Sequence, residues 1–371
     1  MEETMAHTKD PKLHAYIPEL IEQFRKREIS RREFLRTATL LGVSATAAYA
    51  VAGRIDGQTF VPQARAQMKK MGGHLRFGMS VQEITDPAIF DWTEKGNGAR
   101  QIVESLVRIG NDNIARPYLA ERWEASENLK TWTFHLRRGV KWSIGDTFNA
   151  DDLIFNMERW LDPATGSSNQ SRFGTMTTTA DTGKKDDNGN PVMSTTMTGG
   201  AIERIDDHTV RFHLNTPNVA IPESFGDYPA LIVHRRFSDE GGDLSKNPVG
   251  TGPYRLAEYV VGEKLVLEKR PASEYWGDEF ALDKITYIDT GDDPAASLAA
   301  LASGQIDINH QFGVELIDAV QQIPTLNLNE TPTAATGVAR MHVTEKPFDD
   351  PHVRKAIRLT VDHQRLVDIV F

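Results

Sequence analysis

Two acidic stretches are where this sequence could gather ligands for a hard cation. Asp289, Asp292 and Asp293 lie in DTGDDP (289–294), and Asp181, Asp186 and Asp187 lie in DTGKKDDNGN (181–190). A helix-flanked calcium loop spaces its acids as D-x-D-x-D-G and closes with a distal Glu. Neither stretch does so, and both read as turns and helix caps. Of the 11 histidines, nine follow residue 66, and none of these pairs with another at the spacing of a helical ligand pair. His135 and His213 fall on strand faces opposite the apolar ones, where a solvated imidazole is expected. GTGPYR (250–255) has two glycines in nucleotide-loop spacing, but Pro253 follows and no third glycine comes, so a tight turn between strands is expected. There is no G-x-S-x-G elbow, no H-E-x-x-H and no P-loop. The chain has no cysteine. That excludes disulfides, thiol catalysis, cysteine-ligated metal and lipidation at a cysteine.

What remains is chemistry of recognition. Trp92 sits in DPAIFDWTEKGNG, a loop rich in turn residues, where an aromatic face can serve as a ligand platform or pack on its own helix. The other tryptophans, Trp123, Trp132, Trp142 and Trp160, fall on apolar faces of regular elements and read as core, and Trp276 reads as packed in a turn.

SRREFLRTATLLGVSATAAYAVAG (30–53) places Arg31 and Arg32 ahead of an uncharged run at 37–53. A membrane span needs about 20 apolar residues, so this run is short. With a small-x-small site at Ala64-Arg65-Ala66, it has the parts of a secretory signal cleaved after Ala66. Residues 30–36 resemble the twin-arginine export consensus, with Arg36 where Lys is usual. A retained anchor and a buried helix are the alternatives. Residues 1–66 carry 10 Lys and Arg against 8 Asp and Glu, a net +2 within the chain's −10, which leaves the rest at −12. Such a surface repels nucleic acid and anionic lipid.

The elements that position these groups follow from periodicity. GGHLRFGMS (72–80) reads as a first strand after a glycine pair. ARQIVESLVRI reads as a helix with Ile102, Val103, Leu106 and Val107 on one face. TWTFHL and TVRFHL alternate as half-buried strands. NADDLIFNMERWL reads as a helix capped by Asn149, with Asp151 and Asp152 opposing its dipole. Residues 161–200 lack either period and read as a long surface excursion. KLVLEKR and KITYIDT read as strands. PAASLAALASGQIDI reads as a helix stopped by Gly304 and followed by a strand, and Asp350 with Pro351 opens a late helix.

Four stretches together resemble the extracytoplasmic solute-binding proteins of the oligopeptide/dipeptide/nickel class of ABC importers, family 5. They are YLAERWEASENLKTWTFHLRRGVKWSIGDTFNADDLIFNMERW (118–160), IDDHTVRFHLNTP (205–217), NPVGTGPYRLAEYVVGEKLVLEKRPASEYWG (247–277) and KPFDDPHVRKAIRLTVDHQRLV (346–367). The resemblance implies an α/β, two-lobed periplasmic binding protein fold with an extra inserted subdomain and a second lobe that is incomplete in this chain. Residues 1–66 would be the signal peptide, 67–98 and 218–290 lobe I, 99–217 the inserted subdomain, and 291–371 the N-terminal part of lobe II. It also implies a cleft lined by Met79, Ser80, Val81, Gln82 and Trp92 from one side and by Thr336, Gly337, Val338 and Arg340 from the other. Arg340 could grip a carboxylate or serve as a solvated or salt-bridged strand arginine. The implied function is capture of a peptide or similar small polar solute in the periplasm for a membrane permease, without cofactor or catalysis, after export by the twin-arginine translocase. A nickel or metallophore binder of the same fold and a secreted enzyme are the alternatives.

Overall fold

The computed structural model describes residues 13–57, 70–186, 189–330, 339–362 and 364–366. The chain divides into two bodies. One holds the described residues up to Leu75 together with Ser80–Asp289, and the other holds Arg76–Met79 and the described residues from Thr290 onward.

The first body opens with three short helices, α1 (Ile17–Arg25), α2 (Arg31–Leu40) and α3 (Ala45–Asp56). Ser30 and Glu33 form a capping box at the start of α2, each side chain taking the other's backbone N–H. The uncharged run at 37–53 is therefore two helices and not one. It breaks at Gly42, whose φ of +90° suits glycine, and a Cβ there would lie 2.7 Å from the Trp123 carbonyl oxygen. Ser44 then caps α3. No helix among the described residues is long and apolar enough to cross a membrane.

After β1 (His74–Gly78) comes α4 (Thr93–Ala99), and here the sequence expectation is corrected. The helix expected over ARQIVESLVRI ends at Ala99, and Val107 begins β2 (Val107–Ile109). Ile102, Val103, Leu106 and Val107 are buried as expected, but from a turn. The carbonyls that a helix would use internally are taken from outside. Gly252 N–H donates to Ile102 O (2.8 Å), Tyr254 N–H to Gln101 O (3.1 Å), Ile232 N–H to Glu104 O (2.9 Å) and Ala120 N–H to Leu106 O (2.9 Å). Side-chain burial was legible in the sequence; the long-range competition for carbonyls was not.

The main core is built on a four-stranded antiparallel sheet. After β3 (Ala115–Pro117), paired with β2, come β4 (Ala120–Ala125) and β5 (Thr131–Leu136). Helix α5 (Ala150–Leu161) is capped by Asn149 with Asp152 closing the box. Strands β6 (Thr177–Lys185) and β7 (Pro191–Met197) pair with each other, and β8 (Ile202–Asp206) and β9 (Thr209–His213) complete the sheet in the order β4-β5-β9-β8. Trp132 faces Phe212 and Phe134 faces Val210 across β5 and β9, so the alternating apolar faces meet in register. Phe225, just after α6 (Ile221–Ser224), lies within 5.6 Å of Phe134, Phe173 and Phe212, centroid to centroid. Trp123, Trp132, Trp142 and Trp160 are all buried in this core.

The β6–β7 pair corrects the reading of 161–200 as an irregular excursion. Thr178, Thr179, Thr195 and Thr198 bond hydroxyl to hydroxyl across the ribbon, each pair at 2.8 Å. Threonine's β-branch favours the pleat, and these cross-strand bonds replace the apolar alternation that would have signalled a strand. The first body ends in β10 (Tyr254–Val260), β11 (Lys264–Lys269) and β12 (Lys284–Ile288), paired antiparallel in sequence order.

In the second body, Phe77 and Gly78 of β1 pair in parallel with Ile308 and Asn309 of β13 (Ile308–Asn309). Between them runs α7 (Pro294–Ala302), capped by Asp293 and followed by Gly304 at φ +72°. Helix α8 (Ile317–Gln321) follows, and Asp350 caps α9 (Pro351–Thr360).

Candidate functional site

The loop after β1 is the segment the sequence singles out on the first body, and its main chain is pinned along its length. Val81 N–H donates to the Asp289 carboxylate (2.8 Å), and Val81 O accepts from Gly262 N–H (2.8 Å). The Tyr259 hydroxyl bridges the loop, donating to Gln82 O (2.9 Å) and accepting from Ile84 N–H (3.1 Å). Further along, Asp86 pairs with Arg159, and Leu244 N–H donates to Thr85 O. Ala88 O accepts from Ser168 N–H (2.9 Å) and the Ser167 hydroxyl (3.1 Å), and Asp91 O accepts from the Tyr228 hydroxyl (3.2 Å).

That anchoring decides which groups can meet a ligand. The Met79 and Val81 side chains are buried, at 6% and 3% exposure, and both Val81 backbone groups are committed to Asp289 and Gly262. Ser80 is exposed and Gln82 half-buried. Trp92 is 59% exposed at the N-cap position of α4, on the same loop. Beside it, Asp91 is ion-paired with Lys95 (2.7 Å), which holds its carboxyl below the usual range and keeps it charged. The helix that follows packs closely: a Cβ on Gly96 would fall 2.6 Å from the Tyr228 Cβ. The result is a fixed loop presenting a hydroxyl, an amide and an indole, with no charge of its own among the three.

Sequence reasoning missed the residues that hold this loop. Tyr259 lies in β10 between Glu258 and Val260, where nothing marks it apart from its strand, and Asp289 sits in the acidic stretch read as a turn. Asp289 is a carboxylate that accepts a backbone N–H, from Val81. Among the described residues no group of three His, Asp or Glu is placed to hold a metal ion.

The remaining expected residues lie elsewhere. Arg340 belongs to the second body and is exposed. Thr336, Gly337 and Val338 lie outside the described residues, as does Ala66. Arg31 is partly buried and paired with Asp56 (2.8 Å), whereas Arg32 is exposed. His135 and His213 each face a glutamate, Glu124 at 3.3 Å and Glu203 at 3.0 Å. Burial pushes the His135 imidazole below its ordinary value, so it is less solvated than the sequence suggested.

Comparison with known proteins joins these features to a family. The chain is 29% identical over 292 residues to the periplasmic oligopeptide-binding protein OppA of Haemophilus influenzae, covering 77% of this chain and 52% of that protein. It is 30% identical over 274 residues to di/tripeptide-binding protein 1 of Pseudomonas aeruginosa, covering 69% and 47%. Among solved structures it resembles the Helicobacter pylori periplasmic binding protein DppA in complex with the peptide STSA, with TM-score 0.63, 24% identity, and coverage of 82% and 59%. It also resembles the binding protein AgaA in complex with agropinic acid from A. tumefaciens R10, with TM-score 0.56, 26% identity, and coverage of 68% and 46%. The chain thus has the α/β fold of periplasmic binding proteins and spans about half the length of the curated relatives it matches. Residues 115–371 match the bacterial extracellular solute-binding proteins, family 5, and to that family the chain belongs.

Proposed function

We propose that this protein is the substrate-binding component of an ABC importer, which captures a peptide or similar small polar solute in the periplasm and presents it to the membrane permease. The match of residues 115–371 to the solute-binding family carries this reading. Two relatives named for oligopeptides and di/tripeptides favour a peptide as solute. Residues 67–98 and 218–290 then form lobe I, 99–217 the inserted subdomain and 291–371 part of lobe II. Ser80, Gln82 and Trp92 meet the solute from one lobe. Thr336, Gly337, Val338 and Arg340 meet it from the other, with the Arg340 guanidinium on a carboxylate. The buried Met79 and Val81 side chains do not reach the solute. Binding is without chemistry: a ligand that bridges two lobes selects the closed form, and the closed form is what a permease reads.

Residues 1–66 serve in this reading as a twin-arginine signal, recognised through Arg31 and Arg32 by the translocase and removed after Ala66. Mass spectrometry of the small molecules that co-purify with the full-length protein tests the function, followed by thermal-shift titration with synthetic di- to pentapeptides. A bound peptide, and a higher melting temperature with saturating peptide, are expected, since ligand at 100 times Kd adds about 2.7 kcal/mol. A metal chelate as the sole bound species, or no shift with any peptide, would overturn peptide binding. Periplasmic protein beginning at Gln67, lost when Arg31 and Arg32 are both changed to Lys, is the corresponding result for export.

A further inference from the structure

Residues 13–57 are folded against the rest of the first body. Phe34 and Leu35, the apolar pair of the export motif, are 2% and 5% exposed. They lie in a cluster with Ile17, Leu20 and Phe24 that takes in Ile114 of the body, with Leu129 and Val219 packed against it. Polar contacts between described residues also cross the seam. The Trp123 indole N–H donates to Leu40 O (3.0 Å), and Arg36 grips Glu223 with two bonds of 2.6 and 2.5 Å. The Tyr49 hydroxyl donates to Asp112 (2.8 Å), and a His14 ring nitrogen meets Ser126 O at 3.2 Å.

We propose that this face of the body is a docking surface for the chain's own leader, and that docking hides the apolar half of the twin-arginine motif from an export receptor. The proposal rests on reading residues 30–36 as that motif. Three features support it. The helices are 9, 10 and 12 residues long, and isolated helices shorter than about 12–15 residues are marginal in water, so their order depends on the surface beneath them. The contacts are matched to the motif itself: Arg36, at the position where Lys is usual, finds Glu223 across the seam. The seam also encloses a crevice of about 290 Å³ lined by His14, Gly42, Trp123 and Ser126. A seam interrupted in this way holds fewer dispersion contacts than a core, so the leader can lift while the body stays folded. Arg32 remains exposed and can make first contact with a receptor, but Phe34 and Leu35 are reached only after undocking.

Hydrogen exchange on the full-length precursor reads docking directly. Amides of residues 34–41 are expected to be protected in the wild type. They should exchange at least about tenfold faster when Glu223→Lys and Asp112→Asn are combined, because the two bonds from Arg36 are lost and the bond from Tyr49 no longer has a charged acceptor, while the leader sequence is untouched. The exchanged pair Arg36→Glu with Glu223→Arg should restore protection, which a folding defect at position 223 would not allow. Binding of the same proteins to vesicles carrying the twin-arginine receptor reads masking, and the released variant is expected to bind more tightly than wild type. Unprotected amides in the wild type would overturn docking. If the wild type binds through Arg31 and Arg32 but the released variant binds no better, masking falls and the export reading stands. If neither binds, the export reading falls and masking with it, while the exchange pattern still decides docking.

Discussion

Glu104 is a buried carboxylate on which three donors converge, so its replacement should be felt in stability. It is 1% exposed and accepts three hydrogen bonds, from the Tyr118 hydroxyl (2.5 Å), the Tyr275 hydroxyl (2.9 Å) and the Trp276 indole (2.8 Å). The arginine Arg137 stacks over the Trp276 ring at 4.8 Å, so the cluster ties the turn after α4 to the segment beyond β11. Replacing Glu104 with Ala strands three donors. An unpaired buried polar group costs about 1–3 kcal/mol. Because the tyrosine hydroxyls are only partly buried and can turn to water, the lower end applies and the sum is about 3 kcal/mol. Glu104→Gln keeps one acceptor oxygen and should cost about 1 kcal/mol. The pH dependence separates the two effects. Burial outweighs the three donors and raises the Glu104 carboxyl above its ordinary 4.5. The folded state then binds the proton more tightly than the unfolded state does. Its contribution is complete below the unfolded value and is lost as pH rises through the folded value. The wild-type advantage over Glu104→Gln should therefore shrink as pH increases. Urea unfolding followed by tryptophan fluorescence and circular dichroism, with coincident transitions as the two-state test, measures this between pH 4.5 and 8. An Ala variant within 1 kcal/mol of wild type, or a wild-type-minus-Gln difference that is flat with pH, would refute the reasoning.

Other outcomes follow from single features. Gly250→Ala would set a Cβ 1.9 Å from the Ile102 carbonyl oxygen, and Gly252→Ala one 2.4 Å from Gln101 O. Each should cost about 3 kcal/mol, the upper range for overpacking, or leave the protein insoluble, as expression yield and melting temperature will show. The Asp112 carboxyl, held at about 2 chiefly by its hydrogen bonds from Arg116, gives stability present above its ordinary 3.8 and lost as pH falls toward 2. Protection of the α3 amides should drop in that window in wild type and show no such step in Asp112→Asn. Trp92→Ala removes an exposed ring and should leave the melting temperature within the range of ordinary surface changes, about 0.5 kcal/mol, while weakening peptide binding about tenfold by calorimetry.

The strands and caps were legible because their causes are local. Trp132, Phe134 and Leu136 alternate, Asn149 and Asp152 sit at capping-box spacing, and Asp350 precedes Pro351; each pattern fixes its own element. The segment 100–107 was misread because its hydrophobic spacing fits a helical face equally well as a buried turn, and the deciding partners come from Ile232, Gly252 and Tyr254. The β6–β7 ribbon was missed because threonine hydroxyls replace the apolar period there. At the candidate site, the family resemblance singled out 79–82, and turn residues around an isolated aromatic singled out Trp92, but no local pattern showed which groups are pinned. That Val81 is an anchor and Ser80 a free group depends on Asp289, Tyr259 and Gly262, some 180–210 residues away along the chain.

The bond from Gly252 N–H to Ile102 O also has a consequence in time. The two ends are about 150 residues apart, and a ribosome adding about 5–20 residues per second delivers the second about 8–30 seconds after the first. Throughout that interval the Gln101 and Ile102 carbonyls lack the donors they will finally have. The segment that joins α4 to the central sheet therefore cannot settle during the early part of synthesis. Completion of the first body is a late event in the birth of the chain: it waits first on this glycine-rich turn and then on the strands that follow it.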